Sequence, residues 1–188
     1  MSMSEIPIRP QRDARRTRGA ILSAACEAFS LQGYAAVRVR DITTAAGVNP
    51  ALVSRYFGSK ERLFEEALSQ LLDGSLLIRT AREEFGEAMV ALLTESERDR
   101  RNPLPMMLLA SADPNARAIA ARLLEDLVLA PLASWFGTEG AAIRAAQFAI
   151  LASGFSFYRE VYPLKVLTTD LDDETRAWLV GAFQSLVD

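Results

Sequence analysis

Five side chains of this chain are suited to reading the edges of DNA bases. Arg40 and Arg55 carry guanidinium groups, which make bidentate hydrogen bonds with guanine. Ser54 bonds to several bases, and Ala51 and Leu52 can pack on thymine methyl groups. The chemistry that they offer is direct readout in the major groove. The alternative for Arg55 is a solvated helix face.

Three neighbouring side chains are better suited to phosphate oxygens. Arg38 and Lys60 supply cations, and Tyr56 supplies a hydroxyl that can donate a hydrogen bond. Such contacts fix the register of a protein on the duplex but carry no sequence information. For Arg38 and Lys60, too, the alternative is a solvated surface position.

These side chains need a helix, a sharp turn and a second helix to present them. Ile42 and Ala46 lie on one face of a first short helix, which must end at Gly47, because glycine takes a left-handed conformation without a Cβ clash. Asn49 offers an oxygen to cap the next helix, and Pro50 fits its first position, where a missing N–H costs nothing. The pattern predicts a helix-turn-helix, and we count Asn49 and Pro50 among its DNA-facing residues.

The second of these helices is the predicted recognition helix. Val53 and Phe57 are four residues apart and face inward, so the candidate base-reading side chains lie on the outward side. Gly58 ends this helix, and Ser59 caps a third helix whose first turn carries Glu61, as the helix dipole favours.

The distribution of charge agrees with a DNA-facing amino-terminal end. The chain has a net charge of −3, which by itself does not suggest a nucleic-acid binder. Residues 1–60, however, hold nine Lys or Arg against four Asp or Glu, and the remainder holds 12 against 20. This split indicates one end that attracts phosphate and a body that repels it.

The composition argues against an enzyme. Histidine is absent, which removes Ser-His-Asp and Cys-His catalysis and the commonest metal ligand. No CxxC pair, carboxylate cluster or glycine-rich phosphate loop replaces it. We expect no enzyme activity, no cofactor and no metal.

The single cysteine and the hydropathy indicate a soluble cytoplasmic protein. Cys26 lies on the inward stripe of the first predicted helix with Leu22 and Phe29, and we interpret it as a buried apolar residue rather than a redox sensor. No apolar run approaches the roughly 20 residues that span a bilayer, and the arginine-bearing start lacks the hydrophobic core of a signal peptide. We therefore expect no membrane association.

The same stretch resembles a known family. The matching residues are Asp41-Ile42, Ala46-Gly47-Val48 and Tyr56-Phe57-x-Ser59-Lys60-Glu61-x-Leu63. Over roughly residues 15–65 the chain looks like the DNA-binding domain of tetracycline-repressor-type (TetR/AcrR) regulators. The resemblance implies an all-α homodimer on double-stranded DNA, with a three-helix amino-terminal domain and a carboxy-terminal helical domain that binds an inducer and dimerises.

Two residues depart from the family pattern. Arg38 stands where members often have a Ser or Thr that caps the second helix, and Ser54 stands where an aromatic residue, often Tyr, is common. The operator sequence therefore cannot be taken over from relatives.

Three regions follow from these signals and from the helical pattern. Residues 1–14 are predicted to form a disordered basic arm, residues 15–58 the DNA-binding domain, and residues 59–188 the ligand-binding and dimerisation domain. We predict a first helix over 15–31 and a long fourth helix reaching Ile78, with Pro131 as a kink further on. The remaining predicted helices cover about 80–96, 103–111, 114–136, 139–161 and 172–187, and no strand is predicted.

The last two of these helices carry small and aromatic residues suited to a four-helix dimer seam. A monomeric helical core explains the same residues from pattern alone, and the family resemblance favours the seam. The predicted interface residues are Ala145, Ala149, Ala152, Gly154, Tyr158, Leu179, Phe183 and Leu186.

A second set of apolar residues in this half is a candidate effector pocket. Methionine and aromatic side chains adapt to irregular apolar ligands, although each one taken singly is more often ordinary core. The predicted lining residues are Leu72, Met89, Leu93, Met106, Met107, Leu109, Trp135, Phe148 and Phe155.

The sequence therefore predicts a homodimeric transcriptional regulator, most simply a repressor, that a small apolar effector releases from DNA. One alternative is a DNA-binding adaptor controlled by a protein partner without any small-molecule inducer. A third reading, a small all-α enzyme or carrier, fits the absent histidine and the charge split poorly.

Overall fold

The computed structural model describes residues 9–94, 102–137, 139–168 and 170–188, and every regular element among them is helical. Its α-helices are α1 (Arg9–Ala36), α2 (Val39–Ala45), α3 (Ala51–Phe57), α4 (Lys60–Leu71), α5 (Phe85–Thr94), α6 (Leu104–Ala110), α7 (Pro114–Leu124), α8 (Ala130–Phe136), α9 (Ala141–Ser156), α10 (Lys165–Thr168) and α11 (Asp173–Gln184). The predicted all-α class, a helix-turn-helix followed by a helical region, is confirmed.

These helices form two compact units. The first unit comprises the described residues up to Leu68 together with Met106–Arg117. The second unit comprises the described parts of Ser69–Pro105 and Ala118–Asp188. A segment distant in sequence, which contains most of α6, thus belongs to the same unit as the helix-turn-helix.

Helix α1 supplies much of the core of the first unit. It begins at Arg9, so residues 9–14 of the predicted arm are helical, whereas residues 1–8 lie outside the described residues. The helix is interrupted at Gly33, the glycine at which the sequence predicts that it closes. Gly33 has a φ of +77°, a conformation that glycine adopts more readily than other residues. Phe29 packs edge-on against Phe64 at 5.3 Å between ring centroids, and Cys26 is buried as predicted.

The fourth helix is shorter than predicted. Helix α4 ends at Leu71, not near Ile78, and a 3₁₀ turn occupies Gly74–Arg79. The side chain of Asp73 accepts a hydrogen bond from the backbone N–H of Ser75 and so starts that turn. The prediction was wrong because the apolar stripe continues past Leu71 while local capping chemistry ends the helix.

Aromatic rings form the core of the second unit. Phe85 lies 5.2 Å from Trp135 and 6.2 Å from Phe148, measured between ring centroids, and Phe148 lies 5.7 Å from Phe183. Full burial of one such ring stabilises a fold by about 1.5–3 kcal/mol. This cluster joins α5, α8, α9 and α11.

The predicted kink at Pro131 takes the form of a widened helical turn. A π-helical segment, Glu125–Leu129, separates α7 from α8 just before the proline. Proline has no N–H and its ring crowds the carbonyl four residues earlier, here that of Leu127, so a wider turn accommodates it. The backbone at Gly74 lies close to that carbonyl: a Cβ on Gly74 would stand 2.3 Å from the Leu127 oxygen.

Candidate nucleic-acid interface

The turn between α2 and α3 has the predicted geometry. Gly47 has a φ of +65°, and the backbone N–H of Val48 donates to the carbonyl of Thr43 at 2.9 Å. At the start of α2 the carboxylate of Asp41 accepts a hydrogen bond from the backbone N–H of Arg38 at 3.0 Å. Asp41 therefore supplies the side-chain half of a capping box to the backbone of Arg38, whose own exposed guanidinium has no acceptor to offer the helix.

The cap of the recognition helix is also as predicted. The side-chain oxygen of Asn49 accepts a hydrogen bond from the backbone N–H of Ala51 at 2.9 Å, and its carbonyl accepts from Leu52 at 3.0 Å. Pro50 has helical dihedral angles and precedes Ala51. The sequence thus fixes where α3 begins through local contacts alone.

Helix α3 has one buried side and one open side. Val53 and Phe57 are 2% and 3% exposed, which confirms their predicted inward orientation. The predicted base readers on this helix differ in solvent exposure: Ser54 and Arg55 are exposed, whereas Leu52 is half-buried. Ala51 is exposed and Tyr56 is half-buried, while Arg40, on α2, is exposed. Their contacts with DNA stay predictions.

Lys60 has intramolecular partners that sequence reasoning missed. Its Nζ donates to the backbone carbonyl of Tyr34 at 2.6 Å and lies 4.2 Å from the centroid of the Tyr34 ring. Burial lowers the pKa of Lys60, against the opposing effect of the carboxylates of Glu61 and Asp113. Lys60 is therefore part of the packing of the first unit as well as a predicted phosphate contact.

Tyr34 completes this polar group. Its hydroxyl donates to Glu61 at 2.9 Å, and burial, followed by the Glu61 carboxylate, raises the pKa of Tyr34. The hydrogen bond joins the end of α1 to the first turn of α4. No spacing rule connects residues 34 and 61, so only the folded chain reveals the pair.

The predicted effector-site residues fall into two sets. Six of them, Leu72, Met89, Leu93, Trp135, Phe148 and Phe155, belong to the second unit, and three, Met106, Met107 and Leu109, belong to the first. Within the second unit Phe85 stacks on Trp135, and the guanidinium of Arg82 lies 4.9 Å from the Trp135 ring. Sequence reasoning missed Phe85 and Arg82.

The predicted interface residues also divide. The structure places Ala145, Leu179, Phe183 and Leu186 inside the protomer, where each is buried. Ala149, Ala152 and Gly154 are half-buried and Tyr158 is exposed. The most exposed large apolar side chains of the same two helices are Ile150 at 70%, Ile143 at 66% and Trp178 at 63%. Helical periodicity identified the apolar helices but not which stripe faces the protomer's own core.

Metal clusters and membrane-spanning helices are both absent from the described residues. In that part of the chain no group of three or more His, Cys, Asp or Glu is placed to hold a metal ion. No described helix is long and apolar enough to cross a membrane.

Comparison with known proteins identifies the family to which this chain is similar. The family model for bacterial regulatory proteins of the tetR family matches residues 21–67, and that for the tetracyclin repressor-like C-terminal domain matches residues 83–187. The HTH-type transcriptional repressor NicS of Pseudomonas putida is 43% identical over 58 residues, which are 31% of this chain and 27% of NicS. This chain therefore matches only about a quarter of the length of that relative.

Solved structures match over nearly the whole chain. A TetR-family regulator from Streptomyces coelicolor A3 is 26% identical with a TM-score of 0.59, covering 97% of this chain and 99% of that one. A Saccharomonospora viridis protein solved in complex with choline is 19% identical with a TM-score of 0.61, covering 86% and 92%, and shows the shared fold alone. With family models matched at both ends, this chain belongs to the tetracycline-repressor family of DNA-binding transcriptional regulators.

Proposed function

We propose that this protein is a homodimeric repressor that binds a near-palindromic operator and leaves it when a small apolar effector binds. The observation that carries the proposal is the open side of α3, where Ser54 and Arg55 are exposed opposite the buried Val53 and Phe57. A capped short helix with a free polar face is the arrangement that enters a major groove.

Base readout is assigned to the exposed side chains of α3 and to Arg40. Arg40 and Arg55 pair with guanine, Ser54 bonds to a base edge, and Ala51 and Leu52 meet thymine methyl groups. Phosphate contacts are assigned to Arg38, Tyr56 and Lys60, with the backbone at Asn49 and Pro50 bringing the start of α3 to the groove. Under this proposal residues 15–58 bind DNA, and residues 59–188 bind the effector and form the dimer.

Selection of binding sites from a pool of random duplexes tests the DNA function. The enriched sequences should form an inverted repeat whose half-site centres lie about 34–36 Å apart, or a multiple of that. Footprinting of the selected duplex should protect two successive major grooves on one side of the DNA. Recovery of unrelated sequences, bound no better than the starting pool, would contradict operator recognition.

The proposed dimer seam combines the half-buried small residues of α9 with exposed side chains beside them. Ile143, Ile150 and Gly154 follow one another at spacings of seven and four residues, which is one helical stripe. Trp178 adds an exposed aromatic ring on α11. These residues support a seam whose partner-facing stripe lies beside the buried Ala145 and Leu179 rather than on them.

The proposed effector site lies in the second unit around Trp135 and Phe148. Aromatic and methionine side chains such as Met89 accept irregular apolar molecules, and a few polar groups suffice to orient them. Arg82 is a polar group at this place: its guanidinium donates to the carbonyls of Trp135 and Phe136 at 2.7 Å each. An effector that binds more tightly to one arrangement of the helices in this unit shifts the dimer towards that arrangement. The distance between its two recognition helices then no longer matches the half-site spacing of the operator.

A thermal-shift screen with hydrophobic metabolites and drugs separates a ligand sensor from an adaptor. A sensor gains stability as RT ln(1 + L/Kd), where L is the free ligand concentration and Kd its dissociation constant, and the same compound must release the selected duplex. If no compound does both, the adaptor controlled by a protein partner becomes the better function. Because the protein acts on DNA, we propose that it works in the cytoplasm.

A further inference from the structure

Arg18 lies where three helices of the first unit meet. It belongs to α1, and its guanidinium forms an ion pair with Glu66 of α4. The Cζ atom of Arg18 also lies 4.8 Å from the centroid of the ring of Phe57, the last residue of α3. One side chain therefore contacts both of the helices that follow the turn.

The recognition helix depends on such contacts for its orientation. Helix α3 has only seven residues and buries only Val53 and Phe57. A helix this short is marginal in isolation, so packing decides where it points. Since Ser54 and Arg55 project from the same few turns, a small rotation about Phe57 displaces both from a base edge. Bidentate hydrogen bonds are especially sensitive to such a displacement.

An arginine in this environment is better suited to orienting α3 than to stabilising the fold. The side chains of Arg18 and Glu66 are 42% and 36% exposed, and an ion pair so open to water adds little to the free energy of folding. A guanidinium is planar, however, and can bond to a carboxylate in its plane while its face lies on an aromatic ring. The two contacts of Arg18 thus constrain the orientation of α3 relative to α1 and α4.

We propose that Arg18 is a positioning residue for operator recognition, which fixes α3 through Glu66 and Phe57 and does not serve as a phosphate contact. The proposal rests on the proposed contacts of α3 with bases. It also removes Arg18 from the basic residues that attract DNA, because Glu66 neutralises its charge.

The test measures the affinity of full-length variants for two duplexes at several salt concentrations. One duplex is that selected by the unmodified protein from a random pool, and the other is its scrambled version. Arg18→Met and Glu66→Gln should each lower the ratio of the two affinities roughly tenfold, because misplaced bidentate contacts are lost. The salt slope should stay unchanged. Arg122→Met, which breaks an exposed helical ion pair with Asp126 in the second unit, is the matched control and should leave the ratio unchanged.

A phosphate contact gives the opposite pattern. Arg18→Met would then flatten the salt slope by about one unit and weaken binding to both duplexes similarly, and Glu66→Gln would leave the ratio of the two affinities unchanged. Either result overturns the proposal, as does an unchanged affinity ratio. Should Arg18→Met fail to fold, Arg18→Lys decides: it keeps the charge but loses the planar fork, so a positioning role predicts a lower ratio and a phosphate contact a preserved one.

Arg55→Ala in the same assay separates this proposal from the function on which it rests. If Arg55→Ala leaves the affinity ratio unchanged, the assignment of α3 as the base reader fails. If Arg55→Ala lowers the ratio while Arg18→Met and Glu66→Gln do not, only the positioning role fails.

Discussion

Arg55 is the side chain on which the proposed base readout depends most, because it is an exposed guanidinium in the middle of the open face of α3. Arg55→Ala should cost about 1–3 kcal/mol of binding free energy on the selected operator and relax the base preference at one position. Lys60→Ala, as the comparison, should weaken all sequences similarly and flatten the salt slope by about one unit. Equilibrium binding to operator and random duplexes measures both. Unchanged discrimination in Arg55→Ala would mean that the register of the recognition helix is wrong.

Tyr34 makes a pH-dependent contribution to stability. Its pKa is raised by burial and by Glu61, so the folded protein keeps the phenol proton above about pH 10, where the unfolded chain releases it. The stabilisation is therefore complete below about pH 10 and is lost as the pH rises towards the folded pKa. Lys60 acts in the opposite sense and over a lower range: because its folded pKa is lowered, stability rises with pH up to the unfolded lysine value of about 10.4.

Comparison of the unmodified protein with Tyr34→Phe isolates this effect. Urea denaturation at several pH values should show the free energy of unfolding falling more steeply with pH above about pH 10 in the unmodified protein. Parallel curves for the two proteins would show that the Tyr34 proton does not contribute.

At the scale of elements, contacts between backbones set limits that side-chain patterns do not reveal. A Cβ on Gly74 would meet the Leu127 carbonyl oxygen at 2.3 Å, whereas a Cβ on Gly19, in the middle of α1, would meet nothing within 4 Å. Gly74→Ala should therefore destabilise the protein by about 1–3 kcal/mol through overpacking. Gly19→Ala should stabilise it by about 0.5–1 kcal/mol, because alanine restricts the unfolded chain and suits a helix. Equal denaturation midpoints for the two variants would contradict the close approach of the Gly74–Arg79 turn to the π-helical segment.

The sequence predicts those elements whose ends are set by neighbouring residues. Gly47 and Asn49 act within a few positions of the turn that they form, and the structure has both in the predicted roles. The end of α4 was missed because two local signals competed, the continuing apolar stripe and the cap at Asp73.

Contacts between residues far apart in the chain could not be predicted in this way. The ion pair of Arg18 with Glu66 and the hydrogen bond of Tyr34 to Glu61 join residues 48 and 27 positions apart. Likewise, periodicity marked Leu179 and Phe183 as apolar, but a buried stripe towards the protomer's own core and a stripe towards a partner have the same spacing. Only the packing of α9 and α11 separates the two.

For the whole molecule, the proposed dimer can be tested at Gly154. A Cβ at this position would have no neighbour within 4 Å in the single chain, so Gly154→Arg should leave the protomer folded. Across a close helix crossing the same side chain has no room, and burial of its unpaired charge is costly. Sedimentation should show the variant as a monomer, and its operator affinity should fall because one half-site offers half the contacts.

Val166→Arg is the matched control for Gly154→Arg. Val166 is 69% exposed and lies on α10, outside the proposed seam, so an arginine there should leave the dimer intact. An unmodified protein that is monomeric at micromolar concentration and still binds the full palindrome tightly would contradict the dimer.

The effector and the operator must oppose each other if the protein is a ligand-responsive repressor. Linkage requires that operator DNA weaken effector binding by the same factor by which the effector weakens operator binding, typically 5–150-fold. A compound found by thermal shift can be titrated calorimetrically into the protein alone, into its complex with the selected duplex, and into a mixture with the scrambled duplex. We expect weaker binding only in the presence of the selected duplex, because only the operator holds the dimer in one spacing. Equal affinities in all three titrations would mean that the compound is not an inducer.

Trp135→Ala should abolish binding of a true effector, since it removes the largest ring from the proposed site. Retained binding would locate that compound elsewhere and favour regulation by a protein partner.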